Sequence, residues 1–150
     1  MSQLELKIPP IIVVLLVALG MYTTAQVIDW PLAAYPQTAS AIALLGLVLA
    51  VLGVWQFRKA RTTVDPRKPE QSSAIVTGGI YRWTRNPMYL GFLLILIALA
   101  LRMANLAVVP WLIVYVLYMN RFQIEPEERM LRAKFGKAYE AYLKRVRRWF

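Results

Sequence analysis

Two stretches carry most of the residues able to do chemistry. The first, YRWTRNPMYLG from Tyr81 to Gly91, sets Arg85, Asn86 and Tyr89 directly against the start of a long apolar run. The second follows the next apolar run, where Arg121 precedes EPEE and its adjacent acids Glu127 and Glu128. A helix opening at Asn-Pro offers free backbone N–H groups and the positive end of its dipole, which suit a ligand carboxylate or phosphate. Two carboxylates opposite it can bind an ammonium or balance a cationic ligand. A zwitterionic amino-acid moiety fits such a pair. The same residues also serve helix building alone: asparagine is a preferred N-cap, proline suits the first helical position, and acids in a first turn complement the dipole. Arg82, Arg85 and Arg121 can likewise mark a membrane interface. The residues alone leave both uses open. A metal is disfavoured, because neighbours on a helix point about 100° apart and Glu127 and Glu128 do not readily converge on one ion.

The remaining chemistry is narrow. The chain has no cysteine and no histidine, which removes disulfides, thiolate metal sites, most zinc sites and every Ser-His or Cys-His arrangement. At 150 residues it is expected to form one domain, 1–150, and 59% apolar residues is too high for an ordinary soluble one. The net charge of +10 is not read as a nucleic-acid footprint. Seven of the 18 Lys and Arg residues lie between Arg58 and Arg85 and nine between Arg121 and Arg148, leaving only Lys7 and Arg102 elsewhere. Basic flanks gathered in this way are a membrane pattern.

The elements expected to position the two stretches are membrane helices, giving an all-α polytopic fold. Four spans are predicted at about 9–28, 39–57, 87–101 and 103–120. The first is opened by Pro9-Pro10 and reads as a retained span rather than a cleaved leader, since Glu5 accompanies Lys7 ahead of it. DWPLAAYPQ makes a short outer loop with Trp30 and Tyr35 as interfacial anchors. Ala41, Gly46, Ala50 and Gly53 in the second span suit close helix packing and permit a homodimer. Residues 58–86 form a connector rich in proline, serine and glycine, and the last two spans make a tight hairpin around RMAN. Arg102 is expected to snorkel to the far interface. The tail, 121–150, carries Leu131, Phe135, Tyr139, Tyr142 and Val146 at helical spacing among basic residues, an amphipathic interfacial helix with a kink at Gly136. Four spans bring both termini, connector and tail to one side, cytoplasmic by the positive-inside rule. The hairpin then sets Arg85, Asn86 and Tyr89 close to Arg121, Glu127 and Glu128.

GGIYRWTRNPMYLG, followed by EPEERMLRAKFGKAYEAYLKRV, resembles the isoprenylcysteine carboxyl methyltransferase family, within the wider group that includes the phospholipid N-methyltransferases. The resemblance runs from about Ile75 to Val146, and the first two spans match only in hydropathy. It implies an integral membrane methyltransferase using S-adenosylmethionine, and the chain lacks a Rossmann glycine fingerprint. Arg85, Pro87, Tyr89 and Gly91 match the first family block and Glu127 and Glu128 the acidic pair, which implies that they bind the cofactor, with Tyr81 and the backbone near Gly79 as further candidates. Arg121 matches an arginine near the methyl acceptor, and Phe135, Gly136 and Tyr139 a motif closing over the cofactor. Asn86 stands where the family has histidine; its amide can bond a cofactor carboxylate but carries no charge and moves no proton.

The implied reaction is one in-line methyl displacement at the cytoplasmic interface, served by alignment and a dry site. The expected acceptor is lipid-like, such as a prenylcysteine carboxylate oriented by Arg121; a phospholipid amine or small thiol needs a base, for which Glu127 and Glu128 are the candidates. The competing class is a non-enzymatic membrane scaffold whose basic tail holds anionic lipid.

Overall fold

The computed structural model describes residues 5–60 and 73–150, so the middle of the expected connector, from Arg61 to Ser72, lies outside the described residues. The described chain is helical: α1 (Pro10–Val27), α2 (Pro36–Lys59), α3 (Pro87–Met103), α4 (Val109–Tyr118), α5 (Glu125–Phe135) and α6 (Lys137–Arg145). Proline stands in the first turn of each helix from α1 to α4, where its missing N–H and fixed φ cost little. Three helices are long and apolar enough to cross a membrane: α1, α2 and the continuous helical stretch Leu106–Phe135. The shorter apolar α3 completes the four expected spans of an integral membrane protein. Its 17 residues reach about 26 Å at 1.5 Å per residue.

The bundle has two unequal halves. α1, α3 and α4 share a core in which Met21, Val108, Tyr115, Met119 and Ile124 are fully buried. The Trp111 indole N–H donates to Thr24 Oγ1 at 2.9 Å, and a Cβ on Gly20 would meet the Trp111 ring at 2.5 Å, so glycine makes room for the indole. α2 packs on the other face of α3, running antiparallel to it. There Gly46 and Gly91 bring the two backbones together: a Cβ on Gly91 would stand 2.4 Å from the Gly46 carbonyl oxygen. Small residues suit such a crossing, because in lipid helices associate through close van der Waals contact. Gly46, Ala50 and Gly53 thus serve packing within the chain, and the small-residue face expected to permit a homodimer is covered by α3.

At the far end α3 stops at Ala104, in the left-handed region at φ 49°. Asn105 Oδ1 accepts the Ala107 N–H at 2.9 Å while Nδ2 donates to the Ile28 carbonyl at 2.7 Å, tying the RMAN turn to the outer loop. Arg102 stays exposed in the last turn of α3. Opposite this seam lies the charged end of the bundle, with the Glu5 segment, the start of α3 and α5–α6 gathered there.

Candidate active site

The chain enters α3 through a 3-10 turn, Gly79–Arg82, and then Thr84, Arg85 and Asn86. Gly79 has φ +57°, and an added Cβ would collide with the Gln56 side chain at the end of α2. Asn86 occupies the N-cap position ahead of Pro87, as expected, yet its side chain makes no capping bond. Its Nδ2 instead donates to the Arg148 carbonyl at 2.9 Å, and Thr84 Oγ1 donates to the same oxygen at 3.2 Å while accepting the Asn86 N–H. The bond to the C-terminal segment uses the amide nitrogen, and the amide oxygen, the group that caps, accepts no helix N–H.

Arg85 closes the end of α6. The last carbonyls of a helix lack intrahelical donors and carry the negative end of its dipole, so a cation is favoured there. Arg85 Nη1 donates to the carbonyls of Leu143 and Val146 at 3.1 and 2.7 Å, and its backbone N–H donates to the Arg147 carbonyl at 3.0 Å. Nη2 pairs with Glu128 Oε1 at 2.8 Å, both side chains being nearly buried. Arg148 meets the same carboxylate from the other side, Nη2 to Oε2 at 2.8 Å and Nε to Oε1 at 3.2 Å, and Glu128 holds the Arg148 proton more firmly than usual. One buried donor of Arg85, its Nε, has no partner.

Glu127 points elsewhere, as the angle between helical neighbours requires. Its Oε1 accepts both the Tyr89 hydroxyl at 2.5 Å and the Gln123 amide at 2.9 Å. Tyr89 is fixed in turn by Tyr115, whose buried hydroxyl donates to the Tyr89 carbonyl at 3.1 Å. Behind this geometry lies a π-helical segment, Met119–Ile124, joining α4 to α5 without a break. Such segments insert extra backbone into a helix and shift its facing. Pro126 has no N–H for the Phe122 carbonyl four residues back, and the Leu6 N–H donates there instead at 3.0 Å. EPEE is therefore a continuation of a membrane helix, where a fresh helix start was expected.

Among the sequence-predicted residues, Arg85, Asn86, Tyr89, Glu127 and Glu128 meet at this end, with Pro87 buried beneath them. Arg121 is not beside Arg85, Asn86 or Tyr89 as expected. The π segment turns it outward, where it and Arg129 pair with buried Glu5 at 3.2 and 2.6 Å. It reaches the cluster only through Glu125, which stands 3.8 Å from Arg121 and 3.9 Å from Arg148. Gly91 lies at the α2 crossing, away from the polar groups. The helix breaks at Gly136, with φ +51°, and the tail folds back rather than lying as one interfacial helix. Tyr139 and Tyr142 are buried with ring centres 6.1 Å apart; the Tyr142 hydroxyl donates to the Tyr81 carbonyl at 2.8 Å, and the Tyr81 ring meets Phe57 edge-on. Sequence reasoning missed Thr84, Gln123, Arg148 and Glu5. Arg148 was hidden within the basic VRRWF run, and Gln123 sits two residues past the arginine that drew notice.

Burial raises the pKa of Tyr81, Tyr139 and Tyr142 well above the ordinary value of about 10. Each is an acid whose folded pKa exceeds its unfolded one, so its contribution is fully present below about pH 10 and is lost as pH rises further, because the unfolded chain then releases protons the folded one keeps. Unfolding midpoints in detergent should be flat across these tyrosines' range up to about pH 9 and fall above pH 10. Tyr142→Phe should flatten that alkaline fall.

Comparison with known proteins decides the family. The phospholipid methyltransferase model matches residues 36–138, from the start of α2 into α6. The chain belongs to the phospholipid methyltransferase family. It is thus a membrane protein of a methyltransferase family, whose match takes in the α2–α3 crossing, the π segment and EPEE. Two probable protein-S-isoprenylcysteine O-methyltransferases of Oryza sativa, from subspecies indica and japonica, are 31% identical over 104 residues. The alignment takes 69% of this chain and 54% of theirs, so the chain spans about half the length of these relatives. An uncharacterized protein of Haemophilus influenzae is 45% identical over 62 residues, which is 98% of that protein and 41% of this one.

Proposed function

We propose that this family member transfers a methyl group from S-adenosylmethionine to a lipid-like acceptor, such as a prenylcysteine carboxylate, with the polar end of the bundle as its site and residues 1–150 acting as one domain. The observation that carries the reading is the unsatisfied, buried Arg85 Nε set beside two carboxylates that face apart. The donor set fits the cofactor's amino-acid part: a guanidinium N–H for a carboxylate, and Glu127 for an ammonium. When bound, S-adenosylmethionine supplies a methyl on a positively charged sulfur, open to direct attack. The chain's own residues then bind and orient. Tyr89 and Gln123 both donate to Oε1 of Glu127 and so hold its carboxylate in place; Arg148 and Arg85 grip the Glu128 carboxylate from two sides; Tyr139 and Tyr142 exclude water, which strengthens every charge interaction within. Asn86, tied to the Arg148 carbonyl, supports the start of α3 and needs no ionisable ring. A prenylcysteine acceptor is favoured over a phospholipid amine by the names of the rice relatives, and over a small thiol by the apolar surroundings.

Glu127→Gln keeps the shape and both hydrogen bonds while deleting the charge. It should weaken S-adenosylmethionine binding about ten- to a hundredfold, the worth of a hydrogen bond to a charged group. Calorimetry on purified protein reads this directly: unchanged affinity refutes the site, and a wild-type chain that binds none refutes the cofactor. Turnover with prenylcysteine, phospholipid and thiol acceptors identifies the substrate.

Sidedness follows from charge. The end with the candidate site carries Arg58, Lys59, Arg85 and the basic tail, and the opposite end Arg102, a distribution that supports a cytoplasmic site and termini. Since the chain has no cysteine, single replacements report cleanly. Ala34→Cys should react with an impermeant maleimide on intact cells, and Lys144→Cys only after permeabilisation; the reverse order overturns the orientation.

A further inference from the structure

The candidate active site leaves one feature unused. On the outer side of the α2–α3 pair an open apolar groove of about 350 Å³ runs between Ala50, Val51, Val54 and Trp55 of α2 and Met88 and Phe92 of α3, with Arg58 at its polar end. We propose that this groove binds an anionic phospholipid of the bilayer, one acyl chain along the apolar lining and the headgroup phosphate on Arg58. The site is separate from methyl transfer and does not rest on it.

The occupant is set by three observations. The lining is apolar except for one guanidinium, and Arg58 has no carboxylate partner among the described residues. Lys59 lies beside it, its ammonium 5.5 Å from the Trp55 ring, so two cations and an interfacial indole mark the headgroup level. Among the described residues α2 packs mainly on α3 and the Gly79–Arg82 turn, and Val51 and Trp55 are more than half exposed. A second copy of the chain is a poorer occupant. A two-fold contact through this face would set Arg58 and Lys59 against their own images, with like charges facing each other. A lipid phosphate instead complements them, and one surface cation near a membrane favours an anionic headgroup about fivefold.

Trp55 reports occupancy. In bilayers mixing phosphatidylcholine with bromine-labelled phosphatidylglycerol or bromine-labelled phosphatidylcholine, the difference between wild type and Trp55→Phe isolates quenching at the groove. Brominated phosphatidylglycerol should be about fivefold more effective than brominated phosphatidylcholine at equal fraction. Arg58→Gln should bring that ratio near one with helical content unchanged by circular dichroism, whereas Lys144→Gln should leave it. Equal quenching by the two lipids in wild type overturns the proposal. So does a ratio unaffected by Arg58→Gln, which would mark general surface charge, or Trp55 shielded from both lipids together with energy transfer between labelled copies, which would mark a dimer.

Discussion

Arg85→Ala should unfold the polar end of the bundle and abolish cofactor binding together. The guanidinium joins Glu128 of α5 to the carbonyls that end α6, while the main-chain N–H to the Arg147 carbonyl survives the substitution. Removing one member of a nearly buried ion pair costs about 3–5 kcal/mol when the other charge is left alone. Here Arg148 still holds Glu128, so the lower part of that range, about 3 kcal/mol, is expected. Midpoints of unfolding in detergent measure the loss, and faster tryptic cleavage at Arg145–Arg148 reports the undocked tail. Arg85→Lys separates the roles. It keeps a charge near Glu128 but cannot reach two carbonyls and a carboxylate at once, so it should recover part of the stability and little of the binding. A stable Arg85→Ala protein with its tail protected would refute this account.

Gly91→Val should be at least as damaging, for a reason unconnected with chemistry. The first atom added at Gly91 meets backbone: the Gly46 carbonyl oxygen at 2.4 Å and the Ala50 nitrogen at 2.9 Å. Neither can swing aside, so α2 and α3 must part along their length, at a cost of about 3 kcal/mol or more for an overpacked contact. Gly20→Ala provides the contrast. It meets the Trp111 ring, a side chain whose main anchor is one hydrogen bond to Thr24, worth about 1 kcal/mol. Gly91→Val should therefore lower the unfolding midpoint much more than Gly20→Ala, and equal effects would remove the crossing as the explanation. Because Pro87 and Met88 start the same helix, cofactor affinity should fall with it.

Much of this was open to reading along the chain. Long apolar runs, prolines at helix starts, the turn at RMAN and the break at Gly136 are local signals, set by composition and by the conformational limits of one residue. They determine four membrane helices, a helical tail interrupted at Gly136 and the end of the molecule where the charged residues gather; that the tail folds back was not among them. The motif residues Arg85, Tyr89, Glu127 and Glu128 could be named on the same basis, since residue type and spacing suffice to nominate them.

Which residue faces which was decided only by tertiary structure. A helix turns about 100° per residue, so the π-helical insertion before Pro126 re-aims every side chain around it: Gln123 and Glu127 toward Tyr89, Arg121 outward to Glu5. No local pattern announces that shift, because its cause is shared between a proline and an amide contributed by Leu6. Asn86 carries the same lesson. By itself it determined a helix start, and its side chain was free to cap; the fold brought the Arg148 carbonyl to its Nδ2 from the other end of the chain, and the side chain makes that bond and no capping one.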